Sequence, residues 1–270
     1  MNNLAQRIIT AIIGVAIIIS GIVYDEITFG IIFIIIGFLT LQEFYTLTSK
    51  NGYYPFKGWG LLFSSLLFSL IFLTVAEKIE YKFLWLLLPL FTFVFIIPLY
   101  AKKETHPINC LSVTLMGIFY VALPFSLLSI IAFKTGSYDF PIIIGLLIAQ
   151  WASDTGAYFV GKSMGKTKLF ERISPNKTWE GTIGGVLLAV GALYFWSIYF
   201  DNLTTIEWLG LGLLVSIFGS FGDLIESLFK RTFQLKDSGT VLKGHGGFLD
   251  RFDGFIVAIP FATAYIMFIT

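Results

Sequence analysis

A chain of 270 residues that is 56% hydrophobic and only 13% charged lies far from the soluble norm, in which about 25% of residues are charged. Its 18 basic and 17 acidic residues nearly cancel, so no nucleic-acid partner is expected from a basic surface, and a single cysteine, Cys110, excludes an internal disulfide framework or a cysteine-rich zinc site. What remains is an integral membrane protein.

Apolar runs of bilayer-crossing length, about 17 to 25 residues each, are predicted at Ile8 to Tyr24, Ile27 to Leu47, Gly58 to Ala76, Tyr81 to Tyr100, Ile108 to Phe133, Pro141 to Val160, Thr182 to Phe200, Ile206 to Gly222 and Gly254 to Thr270. The expected fold is therefore all-α and polytopic, with about nine transmembrane helices. Arg7 before the first run resembles the start of a signal peptide, but Asp25-Glu26 leads straight into the next run, so a retained span is expected. Spans one to five hold few ionisable residues, Glu43 being the exception, and residues 1–136 read as an N-terminal transmembrane bundle. Residues 137–270 read as a catalytic transmembrane half with cytoplasmic polar segments.

Within the sixth span Gln150, Ser153, Asp154 and Tyr158 recur at spacings of three and four, which places them on one helical face. The seventh span opens with Gly181-x3-Gly185, a small-residue spacing that lets helices approach closely. Thr204 and Glu207 have capping-box spacing at the start of the eighth. Gly161 to Thr167 is not a P-loop, because the glycine spacing is one residue short and no strand precedes it.

Lysine and arginine set the orientation of such a chain. With the N-terminus cytoplasmic, all but Lys78, Lys82 and Lys134 of the 18 basic residues fall in cytoplasmic segments. The opposite face keeps Asp25, Glu26, Glu77, Glu80, Asp139, Asp201 and Glu207.

The long polar block between the eighth and ninth spans is where chemistry is expected. It mixes Asp223, Glu226, Asp237, Asp250 and Asp253 with Lys230, Arg231, Lys236, Lys243 and Arg251. Carboxylates hold hard cations and bases hold phosphates, needs that coincide in phosphoryl and nucleotidyl transfer. If the eighth helix runs past Gly222, then Asp223, Ser227 and Lys230 share a face. Asp250 and Asp253 stand three apart after the glycine-rich Gly244-His245-Gly246-Gly247 turn. Asp223 and Asp250 are expected as principal ligands of one or two divalent ions, with Glu226 and Asp253 as further ligands or supporting partners. The alternative for these acids is ion pairing with Arg231, Arg251 and Lys236.

The run Ser227-x-Phe229-Lys230-Arg231-x4-Lys236-Asp237-Ser238-Gly239-x4-Gly244-His245-Gly246-Gly247-x2-Asp250-Arg251-x-Asp253 resembles the signature of phosphatidate cytidylyltransferases, also called CDP-diacylglycerol synthases. Lys243 departs from the proline usual before Gly-His. A second block, Ser153-Asp154-Thr155-Gly156-Ala157-Tyr158 with Gly161-Lys162 and Ser174-Pro175-Asn176-Lys177-Thr178-Trp179-Glu180-Gly181, is similar to the other polar region of that family.

The resemblance implies that the phosphate of phosphatidic acid attacks the α-phosphorus of CTP with Mg2+ assisting, giving CDP-diacylglycerol and pyrophosphate. Lys230, Arg231, Lys236 and Arg251 are expected to hold triphosphate or phosphatidate oxygens, the alternative being attraction to anionic lipid of the inner leaflet, and catalytic roles are expected for Asp223, Asp250, Lys230, Arg231, His245 and Arg251. Substrate contacts are implied for Asp154, Lys162, the Ser174 to Thr178 turn through Ser174, Lys177 and Thr178, and for Ser227, Lys236 and Asp237. On the residues alone, the alternatives are a solvated basic loop for the 162–178 segment, a helix-to-helix hydrogen-bonding group for Asp154, and a brace for its turn for His245. The implied setting is a homodimer in the cell inner membrane, with its site facing the cytoplasm and the bilayer holding the lipid substrate. A polyprenol kinase, an ion-coupled transporter and a lipid-binding scaffold are the rival readings.

Overall fold

The computed structural model describes residues 3–100, 106–233 and 247–269, with side chains from residue 11 onward. Among the described residues ten α-helices follow one another: α1 (Asn3–Tyr24), α2 (Glu26–Lys50), α3 (Lys57–Val75), α4 (Leu87–Tyr100), α5 (Pro107–Gly117), α6 (Leu123–Ala132), α7 (Phe140–Met164), α8 (Trp179–Ser197), α9 (Thr205–Thr232) and α10 (Leu249–Ile269). A 3-10 stretch, Tyr81–Leu86, leads into α4, and a π turn, Ile118–Ala122, makes α5 and α6 one continuous run. Among the described residues eight helical runs are long and apolar enough to cross a membrane, and the apolar stretch Ala11–Tyr24 of α1 is shorter. The protein is all-α in its architecture and polytopic, as its composition predicts.

Two differences from the sequence reading bear on function. Both α9 and α10 reach beyond the apolar runs that announce them, α9 past Gly222 to Thr232 and α10 starting at Leu249 instead of Gly254. Hydropathy ends where charge begins, whereas Leu224, Glu226, Leu228, Lys230 and Arg231 are good helix formers and carry the helix onward. The Ser174 to Thr178 segment is not a turn but a strand, β2 (Ser174–Thr178), paired antiparallel with β1 (Lys168–Phe170). Lys168 faces Thr178 and Phe170 faces Ser174, with an irregularity between.

The described residues fall into two compact units. The first comprises the chain up to Tyr138 and resumes at the start of α10, through Arg251. Its core is aromatic, with Phe29, Phe33, Phe44, Tyr45 and Phe125 all buried. Lipid is as apolar as leucine, so helices in a bilayer are held by close packing and hydrogen bonds more than by a hydrophobic drive. Tyr45 shows both: its ring lies where a Cβ on Gly60 or Gly117 would have to be, and its hydroxyl donates to the Thr114 carbonyl at 2.8 Å. Asp25 breaks α1 from α2 and caps α2 through the Thr28 N–H at 2.6 Å.

The second unit runs from Asp139 through α9 and resumes in α10 at Phe252. Here α7 and α8 pack through glycine: a Cβ on Gly185 would meet the Ser153 carbonyl, one on Gly156 the Gly184 carbonyl, and one on Gly181 the Ala157 carbonyl. The expected small-residue spacing of Gly181 and Gly185 therefore serves contact within the chain. Ser153 and Ser216 join α7 to α9 by a 2.7 Å hydroxyl hydrogen bond. Trp208, fully buried against Gly145, donates its indole N–H to the Phe200 carbonyl. Thr204 and Glu207 form the expected capping box on α9.

Candidate active site

The polar face of α7 is present and is organised around Gln150. Its amide lies between two glycines, Gly219 on α9 and Gly254 on α10, and a Cβ on either would strike it. Its Nε2 donates to Asp154 Oδ1 at 3.1 Å, one turn along. The amide is buried, and its Oε1 has no hydrogen-bond partner among the described residues.

Close approach of α9 to α10 uses the same device. A Cβ on Gly222 would collide with the Asp253 carbonyl, and one on Gly254 would lie 2.9 Å from the Gly219 carbonyl. The acids are the chain neighbours of these glycines, so Gly222-Asp223 and Asp253-Gly254 bring two carboxylates together. Glu226, one turn further along α9, completes a group in which Asp223, Glu226 and Asp253 each offer an oxygen within 4.8 Å of the others. Glu226 is buried and pairs with Lys230, since an acid at that depth needs a counterion. Asp223 is half exposed and pairs with Lys177, whose Nζ lies 2.6 Å from Oδ2. Ser227 sits one turn from Asp223 and points its hydroxyl at Oδ1, 3.5 Å away.

Lys177 is delivered by the hairpin. Its Nζ also donates to the Ser220 carbonyl at 3.2 Å, which ties β2 to α9. Thr178 is buried and caps α8 by accepting from the Gly181 N–H. Glu180 had no role in the sequence reading. Its carboxylate accepts the backbone N–H groups of Lys166 and Thr167 and the Thr167 hydroxyl, bracing the turn between α7 and β1. No local pattern signals it, because the donors lie more than a dozen residues earlier.

Between these elements opens a cavity of about 360 Å3. Asp154 and Tyr158 of α7, Ser174, Asn176 and Lys177 of β2, and Ser220 and Asp223 of α9 line it. The volume falls in the range of small-molecule sites, roughly 300 to 1,000 Å3. Asn176 and Ser220 are lining residues that spacing alone did not single out.

The other sequence candidates are distributed as follows. Lys162 is exposed and sits over the Tyr158 ring, 5.6 Å from its centroid. Arg231 is exposed at the end of α9 and donates from Nε to the Ile173 carbonyl at 3.3 Å. Asp250 belongs to the first unit, where its Oδ2 accepts the Gly247 N–H at 2.8 Å in the first turn of α10. Arg251 is exposed in the same turn. Lys236, Asp237, Lys243 and His245 lie outside the described residues.

Membrane-crossing helices whose ends carry clustered acids and bases beside a cavity of ligand size define a polytopic membrane protein equipped for phosphate chemistry. The chain belongs to the cytidylyltransferase family, whose sequence model matches residues 5–269. A phosphatidate cytidylyltransferase of Bacillus subtilis is 33% identical over 97% of both chains. One from Staphylococcus aureus is 45% identical over 148 residues, 54% of this chain and 55% of that one, and one from Staphylococcus saprophyticus is 44% identical over 147 residues. The chain thus spans about half the length of the Staphylococcus relatives it matches.

Proposed function

We propose that this protein is a CTP:phosphatidate cytidylyltransferase acting at the cytoplasmic face of the cell inner membrane. In the reaction, a phosphate oxygen of phosphatidic acid bonds to the α-phosphorus of CTP. The bond from that phosphorus to the bridging oxygen breaks, and pyrophosphate leaves. The observation that carries the reading is the cavity in which Lys177 and Ser174 stand beside Asp223 and its carboxylate neighbours. The sequence signature and the relatives' names add the substrate identities. The excess of lysine and arginine on one side supports the cytoplasmic orientation. A homodimer is expected from the resemblance.

Mg2+ fits the donor set. Asp223, Glu226 and Asp253 offer only oxygens, the ligand type hard cations take, at separations that small side-chain adjustments would close onto one ion. Asp250, one turn earlier on the helix of Asp253, remains a ligand candidate through the signature. Asp223, Glu226 and Asp253 would hold the ion, which would supply positive charge against the negative charge that develops on the phosphates.

The remaining work falls to the side chains. Two polyanions must be held together against their repulsion, and Lys177 at the cavity, with Lys230 and Arg231 near the end of α9, would supply positive charge for that purpose. Lys177 both pairs with Asp223 and lines the cavity, so its ammonium can turn to a phosphate without leaving the site. Gln150 orients Asp154 at the cavity wall. No covalent nucleophile is needed, because the lipid phosphate is the nucleophile, and positioning supplies much of the rate. A site at helix ends lets the lipid present its headgroup while its tails stay in the bilayer.

The test is incubation of the purified protein with labelled CTP and phosphatidic acid, with and without a chelator. CDP-diacylglycerol and pyrophosphate, lost on chelation, are expected. Release of CDP with a phosphorylated lipid product would replace the reading with that of a lipid kinase, and no nucleotide turnover would overturn both.

A further inference from the structure

We infer that Glu43, on α2, is a positioning residue that sets the first turn of α10 and, through the helix, the carboxylate of Asp253; this rests on the cytidylyltransferase reading for its kinetic consequence. Glu43 is the acid that stands out in the N-terminal half, and the mechanism above leaves it unused. It is 5% exposed. Its Oε2 accepts the Leu249 N–H at 3.0 Å, across more than two hundred residues of sequence. Gly247 packs so closely on the carboxylate that any Cβ there would collide with it, and the Gly247 N–H is taken by Asp250 Oδ2. Glu43 Oε1 has no hydrogen-bond partner among the described residues.

The first N–H groups of a helix have no partners within it and carry the positive end of its dipole. A carboxylate supplied from another helix satisfies one of them with a charge-assisted hydrogen bond and fixes where the helix begins. An acid is costly to keep in such a place, which argues for a task that an apolar residue could not perform. Asp253 follows on the next turn of the same α-helix, and where that helix begins is the route by which Glu43 would act on it. A misplacement of about 1 Å at a reacting centre can cost on the order of 10²-fold in rate.

The experiment compares Glu43→Ala and Glu43→Gln in the full-length protein by kinetics, by hydrogen exchange across residues 247–253 and 205–221, and by Mn2+ titration followed by electron paramagnetic resonance. Glu43→Ala is expected to lower kcat about 10²-fold with little change in KM for CTP, to speed exchange at 247–253 but not at 205–221, and to weaken Mn2+ binding. Glu43→Gln keeps an acceptor oxygen in place, so it should stay within about tenfold of the parent. Should Glu43→Ala fail to fold, Gly247→Ala is the second variant, expected to show the same selective exchange. Unchanged exchange at 247–253, or equal losses in the alanine and glutamine variants, would overturn the inference. If the unsubstituted protein shows no cytidylyl transfer, the functional reading fails, while the exchange comparison still decides whether Glu43 anchors α10.

Discussion

Lys177 Nζ lies 2.6 Å from Asp223 Oδ2, so the hairpin's lysine is held on α9 by a carboxylate proposed to take a cation. The two side chains therefore report different parts of one event. Asp223→Asn should weaken the hold on the ion that would offset transition-state charge, and so lower kcat by about 10² to 10³-fold. Lys177→Met should act mainly on KM for CTP, because the metal ligands stay in place while a phosphate contact is lost. Steady-state kinetics on both variants checks this split. Equal falls in kcat with unchanged KM would contradict it.

Asp253 and Asp250 stand on one helix with different engagements. Asp253 joins the cluster with Asp223 and Glu226, whereas Asp250 Oδ2 accepts the Gly247 N–H. An asparagine at position 250 still offers an oxygen to that N–H. Mn2+ titration should therefore show affinity about 10- to 100-fold weaker in Asp253→Asn and less affected in Asp250→Asn. The reverse order would make Asp250 the ligand and Asp253 its support.

Much of this was legible in the residues. Helical spacing put Gln150, Ser153 and Asp154 on one face, and Asp223 with Ser227 on one turn, because α-helical periodicity is local. The signature brought both polar blocks to one function. Three features were not legible. The strand at Ser174–Thr178 exists through pairing with Lys168–Phe170, and a five-residue polar segment does not announce its partner. The meeting of Asp223 and Asp253 is expected from their chemistry, but the device behind it, Gly222 and Gly254 in contact across two helices, is one that no spacing within either helix encodes. Glu180 serves backbone groups far earlier in the chain, and a glutamate in the first turn of a helix reads as an ordinary dipole partner.

Asp25 gives the first unit a pH signature remote from the proposed chemistry. The Thr28 N–H bound to its carboxylate, helped by the Thr28 hydroxyl, holds its pKa below the ordinary 3.8. A group depressed in the folded state stabilises above its unfolded value and loses that contribution as pH falls through the folded one. Thermal unfolding in detergent should thus show a midpoint that drops on acidification below about pH 4, and Asp25→Asn should make the drop smaller. An unchanged acid slope in the variant would show that the cap contributes nothing through its charge.

The contact of α9 with α10 gives the most direct test of the site's architecture, since it can be altered without replacing a polar side chain. Gly254→Ala drives a methyl toward Gln150 and the Gly219 carbonyl, and Gly222→Ala drives one into the Asp253 carbonyl. Backbone cannot yield as a flexible side chain can, so the helices must part, at a cost of about 1 to 3 kcal/mol in stability. Parting them separates Asp223 from Asp253, and activity should fall by more than the folded fraction does. Gly191→Ala is the control, because a Cβ there meets nothing within 4 Å. With alanine favoured over glycine in a helix by up to about 1 kcal/mol, that variant should match or exceed the parent in thermal stability and keep its turnover. If Gly254→Ala behaves like Gly191→Ala in both measurements, the close approach of these helices is not what assembles the carboxylates.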